Sequence, residues 1–178
     1  MPLKLSSKGF TFIELILYVA VVTIVVTALI PFAWNVIQGG VKSNTEQEVF
    51  SGGRFISERL KLEIRNALDI NTASSNFDVN LADNPSYQLS LKAPSPNDPT
   101  IITISGNKVM IKQGTAAAVS LTPNDVKVTN LTLTDYSSAD NKTKHIGLTL
   151  TVSANYPSTR QEFQETINLH TSAELRNN

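Results

Sequence analysis

Residues 15–34 read LILYVAVVTIVVTALIPFAW, and this stretch decides the organisation of the chain because it contains no charged side chain. Twenty residues of α-helix rise about 30 Å, which is the thickness of the hydrocarbon core of a bilayer. A buried helix of this length in a soluble protein would carry a polar stripe, whereas this stretch carries only scattered Thr and Tyr residues. The stretch therefore predicts a membrane-spanning helix.

The residues on either side of this span indicate its orientation and whether it is cleaved off or retained. The segment before it is short and basic through Lys4 and Lys8, and basic flanks stay on the cytoplasmic side, so residues after 40 are predicted to lie outside the membrane. Lys42 on the far side makes this asymmetry small. A secretory signal would have a shorter apolar core followed by small residues at a cleavage site. Residues 35–40 lack that signature, so the segment is predicted to be retained.

Glu14 is an acid at the edge of the apolar stretch, beside Ile13 and Leu15. An unpaired charge at the centre of a membrane span costs about 2.5–3.5 kcal/mol on insertion scales. One interpretation of Glu14 is that it lies in the headgroup region, near the positive end of the helix dipole. Its neighbours favour a second interpretation.

The string Lys8-Gly9-Phe10-Thr11-Phe12-Ile13-Glu14 resembles the processing site of type IV prepilins and type II secretion pseudopilins. The match covers the basic residue, the Gly, the Phe, the following Thr and the Glu, and the apolar run then continues unbroken. The resemblance implies that a prepilin peptidase cuts between Gly9 and Phe10 and that the same enzyme methylates Phe10. It also implies that Pro31 is a point where the helix loosens during assembly.

Glu14 would then have a partner in the cleaved chain. Cleavage would leave a free amine on Phe10, four residues before Glu14, and helix positions four apart share a face. The carboxylate could pair with its own amine or with that of a neighbouring subunit, and the spacing leaves both open. The resemblance implies the pairing between subunits. Such pairing would favour one axial register of neighbouring subunits, because an unpaired charge in an apolar filament core is costly.

The resemblance implies an α+β, pilin-like fold and a structural role. The expected division is a leader at 1–9, a membrane and assembly helix at 10–34, an amphipathic helix at 35–69 and a β-rich head at 70–178. The expected function is that of a minor subunit of a type IV pilus or type II secretion pseudopilus, held in the inner membrane with its amino end cytoplasmic and then assembled into an extracytoplasmic filament. Expected partners are the prepilin peptidase and methylase, other pilin or pseudopilin subunits, an inner-membrane assembly platform, and membrane lipid before assembly.

The region 41–68 shows a helical period. Ile56, Leu60, Ile64 and Leu68 recur every four residues, and Val49 and Gly53 extend the stripe backward. Arg54 and Glu58, like Arg59 and Glu63, have the spacing of helical ion pairs. The Gly52-Gly53 pair weakens a helix by about 1 kcal/mol per Gly and marks either a bend or a close contact.

Beyond residue 70, alternating apolar residues predict one antiparallel sheet that covers this helix. Ile70 to Pro85 is expected to be a connecting loop. A Gly106-Asn107 turn is expected to join two strands into a hairpin, and a slip in phase near Asn130 predicts a bulge. Predicted strands include residues 87–92, Thr100–Ser105, 108–112, 119–121, 126–133 and 146–152, with Phe163, Ile167 and Leu169 on a last strand.

The remaining composition argues against catalysis and nucleic-acid binding. Fifteen basic residues balance fifteen acidic ones, whereas DNA-binding domains show a basic excess. There is no cysteine, and His145 and His170 lack companion ligands at metal spacing. We therefore expect no enzyme activity, no metal and no cofactor, and we interpret the loop acids Asp98, Asp125 and Asp140 as solvated rather than as a calcium site.

Two alternative functions remain open from the sequence. A competence pseudopilin taking part in DNA uptake would need a basic surface on the head. The other alternative is an extracytoplasmic binding domain that merely uses the span as an anchor, although such an anchor gains nothing from Glu14 or from the Gly9-Phe10 junction. Residues that would have to cluster for the DNA alternative are Lys108, Lys112, Lys127, Lys142 and Lys144.

Overall fold

The structure is a computed structural model that describes residues 9–139 and 143–176. Four residues used in the predictions above lie outside the described residues; they are Lys4, Lys8, Asp140 and Lys142. The chain divides into two compact units, Met1–Gly40 and Val41–Asn178, and each is described by itself.

A single helix, α1, spans Phe12–Asn66 and contributes to both units. In its part 12–40 no side chain is buried, and this helix is long and apolar enough to cross a membrane. The apolar helix predicted from residues 15–34 is therefore confirmed. It begins at Phe12 rather than at the expected Phe10.

The second part of α1, residues 41–66, belongs to the Val41–Asn178 unit and buries one face. Val49, Ile56, Leu60 and Ile64 are at most 1% exposed, which confirms the stripe predicted for them. Leu68 was predicted to continue it, and this is wrong. The helix ends at Asn66, the amide of Leu68 donates to the Lys92 carbonyl at 2.8 Å, and the Leu68 side chain is exposed.

The described part of the Val41–Asn178 unit contains two antiparallel sheets rather than the single predicted one. The first has the strand order β1-β2-β3-β4-β5 and the second the order β6-β7-β8. The strands are β1 Asp69–Ile70, β2 Gln88–Lys92, β3 Thr100–Ser105, β4 Lys108–Gln113, β5 Val119–Ser120, β6 Val126–Asp135, β7 His145–Ala154 and β8 Thr166–Glu174.

One hydrophobic core joins both sheets to residues 41–66 of the helix. The glycine pair lies where the helix packs directly against β6 and β8. A Cβ at Gly52 would lie 3.0 Å from a Val126 methyl, and one at Gly53 would lie 2.8 Å from Leu169 Cδ1. Of the two interpretations offered for Gly52-Gly53, the close contact is the one that the structure bears out.

Two details of the strand prediction are confirmed. The β3–β4 hairpin turns at Gly106 and Asn107, whose φ angles of 58° and 61° lie in the left-handed region that such two-residue turns require. The pairing of β6 with β7 shifts register between Val128 and Asn130, so the predicted bulge is present.

The segment expected to be a connecting loop, Ile70 to Pro85, does connect β1 to β2, although Ile70 itself belongs to β1. It contains a 3₁₀ turn at Thr72–Ser74 and a fully buried Leu81, neither of which was predicted. The amide of Leu81 donates to the Leu131 carbonyl at 2.9 Å, which fixes this segment beside β6. Phe163 lies in a 3₁₀ turn at Gln161–Phe163 and not on the last strand.

Candidate processing and assembly segment

Gly9 and Phe10 precede the helix and are exposed with respect to the residues that the structure describes. Phe10 is 82% exposed, and a Cβ built at Gly9 would meet no atom within 4 Å. The peptide bond between them is therefore accessible within its unit, as a cleavage site must be. A helix would have enclosed the same bond in its hydrogen-bond ladder.

Thr11 caps the start of α1. The amide of Glu14 donates to the Thr11 carbonyl at 3.1 Å and lies 3.3 Å from Thr11 Oγ1. This is the threonine half of a capping box, in which a Ser or Thr is followed three residues later by Glu or Gln. The cap explains why the helix begins at Phe12.

Glu14 lies in the first turn of α1 and is exposed. A carboxylate is favoured there because unpaired amides at a helix amino terminus carry partial positive charge. Phe10 lies outside the helix, so Phe10 and Glu14 do not share a helical face in the uncleaved chain.

The threonines within the apolar stretch do not present free hydroxyls. Thr23 Oγ1 donates to the Val19 carbonyl and Thr27 Oγ1 to the Thr23 carbonyl, each at 2.7 Å. Such bonds to the carbonyl four residues earlier satisfy the hydroxyl inside the helix. Satisfied polar groups are what a lipid environment demands, because lipid offers no hydrogen-bond partner.

Pro31 lies inside α1 and the helix continues past it. Proline has no N–H, so the Thr27 carbonyl loses the bond that residue 31 would otherwise donate. Gly39 and Gly40 follow, and a Cβ placed on either residue would meet no atom within 4 Å. One proline and two glycines make this part of a helix easier to bend. The loosening expected at Pro31 stays a prediction.

The histidines of the head are held as surface residues. His170 Nδ1 lies 3.1 Å from Thr149 Oγ1 on the neighbouring strand, and the His145 ring is 6.3 Å from the ring of Tyr136. Among the described residues no group of three or more His, Cys, Asp and Glu could hold a metal. Asp98 Oδ1 accepts from the Ala93 amide at 3.1 Å, which gives it a role in the turn.

Of the four described lysines considered for DNA binding, Lys108 and Lys112 share β4, and two of the four, Lys108 and Lys144, have polar partners. Lys108 Nζ donates to Asn124 Oδ1 at 2.7 Å, and Lys144 pairs with Asp69. The Lys144 ammonium, through this hydrogen bond, lowers the pKa of the Asp69 carboxyl. Lys112 and Lys127 lie on β4 and β6.

Polar contacts tie the loop before β8 to the helix. Tyr156 donates to a Glu48 carboxylate oxygen, and this bond raises the pKa of Tyr156 to about 12. Lys42 Nζ lies 3.1 Å from Glu165. Of the predicted helical ion pairs, Arg59–Glu63 forms at 2.6 Å, whereas Glu58 pairs with Lys61.

A cleft of about 540 Å³ lies at the carboxyl end of α1, within the Val41–Asn178 unit. Arg59, Arg65 and Arg176 line it together with Glu63. The Glu63 carboxylate already has two partners, because it pairs with Arg59 and accepts a hydrogen bond from Gln113 Nε2 at 3.1 Å. Among the described residues the lining contains these three arginines and one carboxylate, so it carries excess positive charge.

Sequence reasoning included Thr11 in the processing string but missed its role as a helix cap, although the signal was present as a threonine three residues before Glu14. It also missed the cleft, because Arg59 and Arg176 are far apart in sequence.

Comparison with protein-family models found no match to this chain, and comparisons with curated proteins and solved structures found no similar one.

Proposed function

We propose that this chain is a minor structural subunit of a type IV pilus or type II secretion pseudopilus. In this proposal a prepilin peptidase cuts between Gly9 and Phe10 and methylates the new amino terminus. The chain waits in the inner membrane with its amino end cytoplasmic. It is then extracted into a filament by an assembly platform, alongside other pilin or pseudopilin subunits.

One observation carries the proposal. An accessible Gly9-Phe10 bond stands immediately before a capped helix that holds Glu14 in its first turn and buries no side chain as far as residue 40. So extensive an apolar surface is not left exposed to water in a soluble protein. Lipid before assembly and neighbouring helices after assembly would both cover it.

The first experiment is to express the full chain with and without a prepilin peptidase and to determine the amino terminus by peptide mass. The expected mature chain begins at Phe10 and carries one N-methyl group. Gly9→Leu should stay uncut, and Gly39→Leu is the matched control, since Gly39 is equally unobstructed but lies outside the processing string. Recovery of Met1 in the presence of the peptidase would contradict the proposal.

The second experiment separates the two roles open to Glu14. Glu14→Gln keeps a residue type that suits a capping box but removes the charge, whereas Glu14→Leu removes both. If Glu14 pairs with an amine of a neighbouring subunit, both variants should be cut yet enter filaments poorly, because losing one partner of a buried pair costs about 3–5 kcal/mol.

Normal incorporation of Glu14→Gln, with loss confined to Glu14→Leu, would instead assign Glu14 to the cap alone. Glu14→Asp should be intermediate, because it keeps the charge but shortens the reach. Methylation of Phe10 has to be measured in every variant, so that a defect in processing is not mistaken for a defect in pairing.

The cleft favours a second candidate function, an anchored domain that binds anionic ligands outside the membrane. Arg65 and Arg176 would supply the charge that attracts a carboxylate. Titration of the detergent-solubilised chain with short acidic peptides tests this, and Arg176→Ala should abolish any binding seen. Absence of binding by the unchanged chain would remove this candidate and leave the filament proposal intact.

A further inference from the structure

Most sheet edges in the described part of the head are shortened or covered. β1 and β5 have two residues each. The outer edge of β6 is occupied, since the Leu133 carbonyl accepts from the Asp78 amide at 2.8 Å and the Val128 amide donates to the Asn107 carbonyl at 2.8 Å. Proteins commonly protect edges in these ways because an open edge invites pairing with another chain.

The edge of β8 is different, because it is nine residues long and carries no Pro, Lys or Arg. Its two ends reveal which backbone groups face outward. The Ala154 amide donates to the Glu165 carbonyl and the Leu175 amide to the Lys144 carbonyl, so the odd-numbered residues direct their backbone groups toward β7. The N–H and C=O groups of the even-numbered residues therefore point away from β7.

These outward groups have no partner within the described residues until the end of the edge. There the Arg176 amide donates to the Arg65 carbonyl at 3.3 Å, which closes the edge against the helix. The five residues with open backbone groups also have exposed side chains; they are Thr166, Asn168, His170, Ser172 and Glu174.

Apolar side chains beside this edge are only partly covered. Ile167 and Leu169 face Gly53 of the helix, yet both are only half-buried. Phe50 precedes Gly53 by three residues and, by the rotation of a helix, lies on the side away from Gly52 and β6. The Phe50 side chain is 51% exposed. An added strand would cover these three side chains as well as the open backbone.

We propose that the β8 edge pairs with the β8 edge of a second copy of this chain, antiparallel and centred on His170. This register places Thr166 opposite Glu174, and Asn168 opposite Ser172, of the second copy. All five open residues are then paired, with His170 facing His170 of the second copy, and no two carboxylates are apposed. Each even-numbered residue of one β8 strand lies opposite an even-numbered residue of the other. The core-facing sides of the two sheets therefore lie on the same side of the combined sheet.

The pairing has a defined geometry between the two chains. Gly53 lies beside Ile167 and Leu169, and the Arg65 carbonyl lies beside Arg176, so residues 41–66 run along β8 in the same direction. An antiparallel pair of β8 strands therefore sets the two Val41 ends at opposite ends of the pair. This fits heads carried on two opposing surfaces rather than neighbours within one filament, whose shared direction would be the same.

A single edge pairing buries less surface than a stable dimer interface, which buries about 1,200–2,000 Å². Each pair is therefore weak, and many pairs between two arrays would act together. The proposal goes beyond the filament function, because it requires only that heads be displayed on two surfaces.

Cysteine cross-linking of the full chain tests the pairing, and the absence of native cysteine gives a clean background. Directly opposed residues of this type have Cα atoms about 5.5 Å apart, within the range of a disulfide. Under mild oxidation in detergent, His170→Cys should form dimers about tenfold faster or more than Ser86→Cys, an exposed loop position. Equal rates for these two variants would overturn the proposal.

Two further variants fix the register and the mechanism. Thr166→Cys should link to Glu174→Cys faster than either links to itself, and preferential self-linking would overturn the antiparallel register. Asn168→Pro added to His170→Cys should bring the rate down to that of Ser86→Cys, because proline removes an outward N–H that β7 does not use. An unchanged rate with the fold retained would also overturn the proposal.

The opposing arrangement is tested with two vesicle populations that carry His170→Cys chains of different mass. Mixed-mass dimers between vesicles are expected. Dimers confined to chains of one vesicle would overturn the opposing arrangement.

Discussion

Residues 12–40 and 41–66 belong to one helix, α1, yet their side chains have opposite environments. In residues 12–40 no side chain is buried, and Gly39 and Gly40 have open space around them. In residues 41–66 the side chains of one face are buried, and Gly52 and Gly53 touch sheet residues. The same helical backbone therefore carries an uncovered apolar surface in its first part and joins a protein core in its second.

Truncation of a core side chain is expected to separate the two parts most strongly. Ile56→Ala removes a side chain that is 0% exposed and should lower the free energy of unfolding of the head by about 2–5 kcal/mol. Ile37→Ala, on the same helix at 60% exposed, should leave it unchanged. Hydrogen exchange of β6 and β7 in the detergent-solubilised chain measures both. A comparable loss of unfolding free energy in Ile37→Ala would contradict the difference in burial between the two parts of α1.

The glycines offer the next largest effect. Gly53→Val would force the Leu169 and Ile167 methyls aside, from separations of 2.8 and 3.0 Å to a Cβ. Overpacking of this kind costs about 1–3 kcal/mol. Gly40→Val meets no neighbour and should slightly favour helix through its higher propensity. Thermal unfolding followed by near-ultraviolet circular dichroism compares them, and equal melting temperatures would contradict a close contact at Gly53.

The cap at Thr11 should have a smaller and local effect. Thr11→Ala removes the hydroxyl near the Glu14 amide, and loss of such a cap costs about 1 kcal/mol of helix stability. Exchange of the first amides of α1 should speed up, while β6 and β7 should be unaffected. Thr27→Ala is the control, because its hydroxyl bonds within the helix and away from its start. Identical exchange in both variants would remove the capping role.

The contact between Tyr156 and Glu48 should have the smallest effect on stability, and its loss should be seen only at high pH. The folded pKa of Tyr156 is about 12, above the ordinary value of about 10. The protonated tyrosine is thus favoured by folding, so this stabilisation is complete below about pH 10 and is lost as the pH rises toward 12. Tyr156→Phe should flatten the decline of melting temperature across that range, whereas Tyr136→Phe should not.

Local periods in the sequence predicted elements well because burial on one face imposes them. The spacing of Ile56, Leu60 and Ile64 predicted the helix, and the clean alternation of Ile146, Leu148, Leu150 and Val152 predicted β7. The same period misplaced Leu68, because a hydrogen bond from its own amide to Lys92 ends the pattern. Only a tertiary partner decides that boundary, and no such partner is visible in a window of sequence.

Features that depend on partners distant in sequence were not predictable. Alternation identifies a strand but does not say which strands share a sheet, so two sheets were taken for one. Leu81 stands between Asn80 and Ala82 in a polar stretch, and its burial follows from β6, about fifty residues later. At the candidate site, Gly9, Phe10 and Glu14 were found as a local string, whereas the cleft at Arg59 and Arg176 was not.

The segment around Leu81 has a consequence for the order in which the head folds. Its amides reach both sheets: the Asn76 amide donates to the Gln88 carbonyl nearby in sequence, and the Asp78 amide to the distant Leu133 carbonyl. Closing a long loop is slower than closing a short one because more chain entropy is lost first. The seam beside β6 should therefore form after the β3–β4 hairpin, and pulse labelling of the Asp78 and Leu81 amides during refolding would time it. Under partial unfolding, the head would be expected to open along the same seam first.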